Sequence, residues 1–167
     1  MFVTNTVMYF ISGTVEGCAK DLTEGNLLGL APGGVYEAQF SDHNYKVLWK
    51  NRVGFAKIAL KAKVPIIPMY TRNVREAFRS VSTFRWLTMR LYNKIRFPCV
   101  PLYGGFPVKL QTFLGEPIAH DPEDTPFTLR EKCLLAVEDL ISNHQNVPGS
   151  ICWALLERFK YFRDRHS

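Results

Sequence analysis

Residues 27–38 read LLGLAPGGVYEA, and residues 51–70 read NRVGFAKIALKAKVPIIPMY. These two blocks decide the fold. The apolar run 27–31 ends in Pro32-Gly33-Gly34, and paired glycines at a strand end let the backbone turn with positive φ and come close to another group. Past a polar aromatic linker, Phe55, Ile58, Ala59 and Ala62 fall at i, i+3, i+4 and i+7, one face of a helix over 53–63. That helix runs into Val64-Pro65-Ile66-Ile67-Pro68-Met69, a stretch too short for a helix that reads as a strand. Strand, helix and strand in this order predict a βαβ unit with both strands buried. In open α/β sheets the working site lies outside the carboxyl ends of the strands. Pro32-Gly33-Gly34 and Met69-Tyr70-Thr71 both fall at such ends.

Outward from this unit the patterns are local. Val3, Val7, Tyr9 and Ile11 alternate as in a strand. Thr14 suits a helix cap with Glu16 in the first turn, for a helix that runs to about Glu24 and stops at Gly25. Residues 35–51 give no clear period. Residues 83–95 read as a helix, 97–107 as a loop rich in Pro, Gly and aromatics, and 108–114 as an alternating strand. Thr125-Pro126 places a cap before proline at the first helical position, and Cys133, Val137, Leu140 and Ile141 mark the inner face of a helix to about His144. After Pro148-Gly149, Ile151, Leu155, Phe159 and Phe162 lie at helical spacing, with Arg158, Lys160 and Arg163 on the other side.

The chain has 167 residues, which fits one domain, and 47% of them are hydrophobic, enough for a packed core. The net charge of +6 is local: residues 72–96 hold seven basic residues and one acid, Glu76. A local basic patch implies an anionic partner. Cys18, Cys99, Cys133 and Cys152 are widely spaced, and the four histidines add no ligand cluster, so no metal site is expected and buried thiols are. No apolar run reaches the ~18 residues of a membrane-spanning helix, and the start lacks the basic region of a signal peptide.

Two groups of residues invite a functional reading. Backbone amides at Pro32-Gly33-Gly34 can donate to an oxyanion or a phosphate; the same residues also make a plain tight turn. Glu37 can orient that loop or face solvent. Arg75, Arg79, Arg85, Arg90 and Arg96, among Phe78, Phe84, Trp86, Tyr92 and Phe97, suit a membrane interface. That composition also suits nucleic acid or a solvated basic face. No Gly-x-Ser-x-Gly elbow and no phosphate-binding Gly-x-x-x-x-Gly-Lys occurs.

The blocks also carry a family resemblance. Leu30-Ala31-Pro32-Gly33-Gly34-Val35-Tyr36-Glu37-Ala38 resembles the glycine-rich block of the diacylglycerol and monoacylglycerol acyltransferases, and Asn51-Arg52-Val53-Gly54-Phe55-Ala56-Lys57 the block that follows it there. Val64-Pro65-Ile66-Ile67-Pro68-Met69 is similar to the last motif of the wider glycerophosphate and lysophospholipid acyltransferase superfamily. The likeness runs from about Gly13 to Phe159. It implies an α/β fold, an acyltransferase-type αβ sandwich with a mixed sheet and flanking helices, over 1–147, followed by an amphipathic helix at 148–167. It implies an enzyme of the endoplasmic reticulum membrane that moves a fatty acyl group from acyl-CoA, a co-substrate and not a bound cofactor, to a glycerolipid hydroxyl. The expected substrate-binding residues are Pro32, Gly33, Gly34, Glu37, Arg52, Gly54, Pro65 and Pro68; the expected membrane contacts are the five arginines above, with no nucleic-acid partner.

The family's His-x-x-x-x-Asp general base is missing. Five residues after His43, His120 and His144 stand Leu48, Thr125 and Gly149. The resemblance therefore implies a domain incomplete at its amino terminus, without catalytic residues and inactive alone. Gly33-Gly34-Val35-Tyr36 stands where lysophosphatidic acid acyltransferases carry Glu-Gly-Thr-Arg, which implies an uncharged mono- or diacylglycerol as acceptor. The competing expectation is a non-enzymatic module that binds a membrane surface through 72–96.

Overall fold

A computed structural model describes residues 13–80, 90, 94, 102–119, 121 and 123–166, with 80, 102 and 160–166 as backbone alone. The strand expected near the start, most of the helix expected over 83–95, and Arg85 and Arg96 lie outside the described residues. The elements in chain order are α1 (Val15–Thr23), α2 (Gly34–Phe40), α3 (Gly54–Ala62), β1 (Met69–Arg72), α4 (Val74–Ala77), β2 (Phe78–Ser80), β3 (Leu102–Gly104), β4 (Gln111–Leu114), α5 (Pro126–His144) and α6 (Ile151–His166). Helices and small sheets mix in one chain, as the α/β class requires.

Helices with explicit end signals form where the sequence places them. The Thr14 side chain accepts the Gly17 amide at 3.2 Å and starts α1, which buries Cys18 and Ala19 and packs along α3. Thr125 and Thr128 form a reciprocal capping box around Pro126. From there α5 runs its full length and buries Leu129, Cys133 and Leu140 one turn or two apart. Helix α3 turns Ala56 and Ala59 toward α5. These small side chains, with Trp49, Leu129 and Cys133, form a buried cluster, against which Phe55, Ile66, Ile118 and Val137 pack.

The sheets depart from the expected βαβ unit. Among the described residues there are two sheets, each of two antiparallel strands. Strand β1 pairs with β4 from Met69↔Leu114 to Arg72↔Gln111, and β2 pairs with β3 from Phe78↔Gly104 to Ser80↔Leu102. Residues 26–31 form no strand, and Leu27 is 96% exposed. A buried strand needs partners for its backbone N–H and C=O groups, and no described strand lies beside this run. Residues 64–68 make a single bridge, Ile66↔Ile118. Pro65 and Pro68 lack the N–H a ladder requires, so regular pairing begins after them, at Met69. Two short elements lie where the sequence shows no clear period or reads as loop: α2, and β3 within 97–107.

Helix α6 is docked rather than loose. Ala154 is buried against Ala77 and Val108, with Phe106 and Leu155 at the edge of that cluster. Its inner face is thus centred on Ala154, and Phe159, expected on that face, is exposed.

Candidate substrate cleft

The Pro-Gly-Gly turn is held from both sides. The Gly34 amide donates to Ala31 O at 3.0 Å, and Gly34 has φ +52°. On one side the Glu37 side chain, in the first turn of α2, lies so close to Gly33 that a Cβ there would overlap its carboxylate and its own Cβ. Glu37 Oε1 accepts the Leu48 amide at 2.9 Å, which ties the turn to the segment after α2. On the other side Arg52 Nη1 donates to Gly33 O, and to Pro32 O at 3.3 Å. Glu37 therefore orients the loop and does not simply face solvent. The Gly34 amide is used inside the turn, as the tight-turn reading requires.

Beside this turn lies an open cleft of about 330 Å³, lined by Gly13, Leu30, Ala31, Pro32, Arg52, Gly54, Phe55 and Ile58. Its volume is at the lower end of the range for ligand sites. The lining is mostly apolar, and Arg52 is its one charged residue. Backbone at Gly54 faces open space, since a Cβ there meets nothing within 4 Å. Leu27 and Leu30 are exposed on the segment that leads into the cleft.

The structure thus brings together Pro32, Gly33, Gly34, Glu37, Arg52 and Gly54, six of the expected substrate-binding residues. Pro65 and Pro68 do not line the cleft. Pro65 is exposed. Pro68 is buried on the side of β4 and α5, where its carbonyl accepts the Gly115 amide at 2.9 Å. The common wall expected from Gly33 and Met69 is likewise not formed, and Met69 is exposed on β1. Neither His43 nor His144 lines the cleft; His144 stacks on Phe113 with ring centroids 3.7 Å apart. Among the described residues no three His, Cys, Asp or Glu side chains gather as a metal site.

The basic segment is divided by the fold. Arg75 sends Nη1 to Ala38 O at 2.8 Å and Nη2 to Glu37 O at 2.7 Å, satisfying carbonyls at the end of α2. Burial pulls its pKa down from the ordinary arginine value, against nearby Tyr45 and Glu37. Arg79 reaches Gly149 O at 3.3 Å and lies 3.8 Å from Glu76. Arg72 pairs with Glu157 on α6. Arg75 and Arg79, expected at a membrane, are thus occupied within the protein, while Arg90 is exposed. Sequence reasoning missed what they surround. Glu76 is fully buried and accepts a hydrogen bond from Tyr45 Oη, which in turn accepts the Arg75 amide at 3.2 Å. Burial, and then the Glu76 carboxylate, push the Tyr45 phenol far above its ordinary value.

Among the described residues no helix is long and apolar enough to cross a membrane. A family model described as diacylglycerol acyltransferase matches residues 11–128. The chain is 54% identical over 153 residues to the DGAT1/2-independent enzyme synthesizing storage lipids of Bos taurus, covering 90% of this chain and 45% of the relative. The Homo sapiens protein of that description is 53% identical over 152 residues, covering 89% of this chain and 46% of the relative. For the Gallus gallus protein the identity is 49% over 154 residues, covering 92% of this chain and 46% of the relative. The chain spans about half the length of the curated relatives it matches. No solved structure shows a significant match.

Proposed function

The chain belongs to the diacylglycerol acyltransferase family, and on that premise we propose that its cleft receives the glycerolipid of an acyl transfer in which acyl-CoA is the donor. The observation that carries this reading is the cleft beside the Pro-Gly-Gly turn, with its walls of Leu30, Ala31, Pro32, Phe55 and Ile58. Each acyl methylene that leaves water in such a groove gains roughly 0.8 kcal/mol, so a short length of chain suffices to hold a lipid. The single charged lining residue, Arg52, has Nη1 committed to the carbonyls of Pro32 and Gly33. This supports an uncharged acceptor, a mono- or diacylglycerol, presented at the endoplasmic reticulum membrane. The reading of 72–96 as a free membrane patch is weaker, because Arg75 and Arg79 have partners inside the protein.

The chemistry that forms the ester bond needs a base to take the acceptor's hydroxyl proton. The 167 residues contain no His-x-x-x-x-Asp to supply it, and loss of one member of a catalytic unit costs several orders of magnitude in rate. We therefore expect this polypeptide to bind lipid without turning over acyl-CoA. A photoreactive diacylglycerol is expected to cross-link to residues 30–32 and 52–58, with labelling competed by diacylglycerol better than by lysophosphatidic acid. Leu30→Asp, at an exposed position, is expected to cut labelling about tenfold. Labelling elsewhere, or acyl-CoA turnover above a heat-killed control, would overturn the reading.

A further inference from the structure

We propose that the outward face of α6 is a lipid-surface contact, in which Trp153, Leu156 and Phe159 enter the headgroup and acyl boundary of an anionic bilayer. The choice of partner rests on the lipid substrate proposed above; the surface itself rests on how α6 is held.

The rotation of α6 about its axis is fixed from the inner side. Ala154 is buried against Ala77 and Val108. Glu157 pairs with Arg72 and accepts from Asn146 Nδ2 at 3.1 Å, and Arg158 Nη1 donates to Pro107 O at 2.7 Å. At about 100° per residue, Trp153, Leu156 and Phe159 share an arc of roughly 120° away from these contacts. They are 62%, 50% and 69% exposed. An amphipathic helix ordinarily buries its large apolar side chains and exposes its polar ones. Here the inner face carries an alanine and polar anchors with Leu155 at its edge, and the outer face carries the tryptophan, a leucine and the phenylalanine.

The sequence around that face supplies the complementary charge. Lys160, Arg163 and Arg165 follow Phe159, against the single acid Asp164. An apolar helix face with aromatic residues and neighbouring cations is the composition that lies in a membrane interface, with each cation attracted to anionic headgroups. A second copy of the chain fits less well. Two aromatic side chains of ~150–250 Å² each and one leucine fall short of the ~800 Å² per partner of a stable interface, and the basic runs of two copies would repel.

The test uses the whole 167-residue chain and vesicles of phosphatidylcholine, with and without phosphatidylserine. The chain is expected to co-sediment with the mixed vesicles more strongly than with phosphatidylcholine alone. Changing Trp153, Leu156 and Phe159 together to Ser is expected to weaken that partitioning about tenfold or more, with circular dichroism unchanged. Trp153→Phe is expected to keep binding while losing most of the tryptophan quenching by brominated lipid. Unchanged partitioning of the triple variant, undiminished quenching in Trp153→Phe, or a dimer that forms without vesicles and is lost in the triple variant would each overturn the proposal. Absence of vesicle binding by the unaltered chain, with diacylglycerol cross-linking in the cleft intact, would sink this surface and leave the proposed function standing.

Discussion

At Gly33 a missing Cβ lets the Glu37 side chain close under the Pro-Gly-Gly turn. Gly33→Ala is expected to destabilise the protein by about 1–3 kcal/mol, the usual cost of forcing a methyl group into filled space. Glu37→Ala keeps the Cβ that also stands in the way, so the informative partner is Glu37→Gly, in which Gly33→Ala should cost less. A double-mutant cycle by urea denaturation checks this, and additive costs would mean that the two residues do not meet. A second residue-scale expectation concerns alkaline pH. Burial pushes the Cys133 thiol up to about 11 from an ordinary 9.0, and Tyr45 is raised further by burial and Glu76. Both groups are neutral in the fold and lose protons more readily when unfolded. Their contributions are therefore complete below the unfolded values and are lost as pH rises toward the folded ones. Urea midpoints should fall from about pH 9 to pH 11, and the fall should be shallower in Cys133→Ala. Of these residues the sequence showed the glycines, Glu37 and Arg52, because the family blocks contain them. It did not show that Arg52 and Glu37 grip the turn, since those contacts join residues 4 to 20 positions apart.

Elements were legible where the signal is local. Thr14, the 3.6-residue period of 53–63 and Thr125-Pro126 each write a helix into a few adjacent residues, and α1, α3 and α5 form there. Helix α2 was hidden because it spans seven residues, too few to show a period, although Tyr36 and Phe40 at i, i+4 do pack, with centroids 5.0 Å apart. The run 27–31 failed as a strand for the opposite reason: its composition is right, but pairing depends on a neighbour that local sequence cannot reveal. The helices read correctly also carry the core, so their substitutions should be the costly ones. Leu129→Ala, at the fully buried contact of α5 with α3, is expected to cost about 2–5 kcal/mol. Thr125→Ala removes the cap alone and should cost about 1 kcal/mol. Chemical denaturation of the two variants orders them, and equal costs would contradict the burial at Leu129.

At the scale of the molecule, the basic segment shows why composition does not locate function. Seven cations in a short span read as one patch, yet the fold sends Arg72 to α6, Arg75 to the end of α2 and Arg79 to the turn before α6. Of these three, only Arg79 lies near Glu76, at 3.8 Å, and the role of this lone acid of the span is visible only once the chain is folded. Its carboxylate lies against Gly149, where a Cβ would overlap Oε1, while the Gly149 amide donates to His43 O at 2.7 Å. Tyr45, α4 and the turn that launches α6 therefore meet at one buried charge. Gly149→Ala must displace either the carboxylate or the turn. Displacing a buried carboxylate from its Tyr45 donor leaves a charge without its partner, at a cost of about 3–5 kcal/mol; moving the turn instead frees the start of α6. Hydrogen exchange distinguishes the two. We expect protection to fall in residues 151–159 while α3 and the first half of α5 keep theirs, because the cluster of Trp49, Ala56, Ala59, Leu129 and Cys133 shares none of these contacts, whereas Leu140 near the end of α5 packs with Tyr45. Loss of protection throughout would show instead that Glu76 holds up the whole domain, and unchanged protection would mean that the turn and the carboxylate are not in contact.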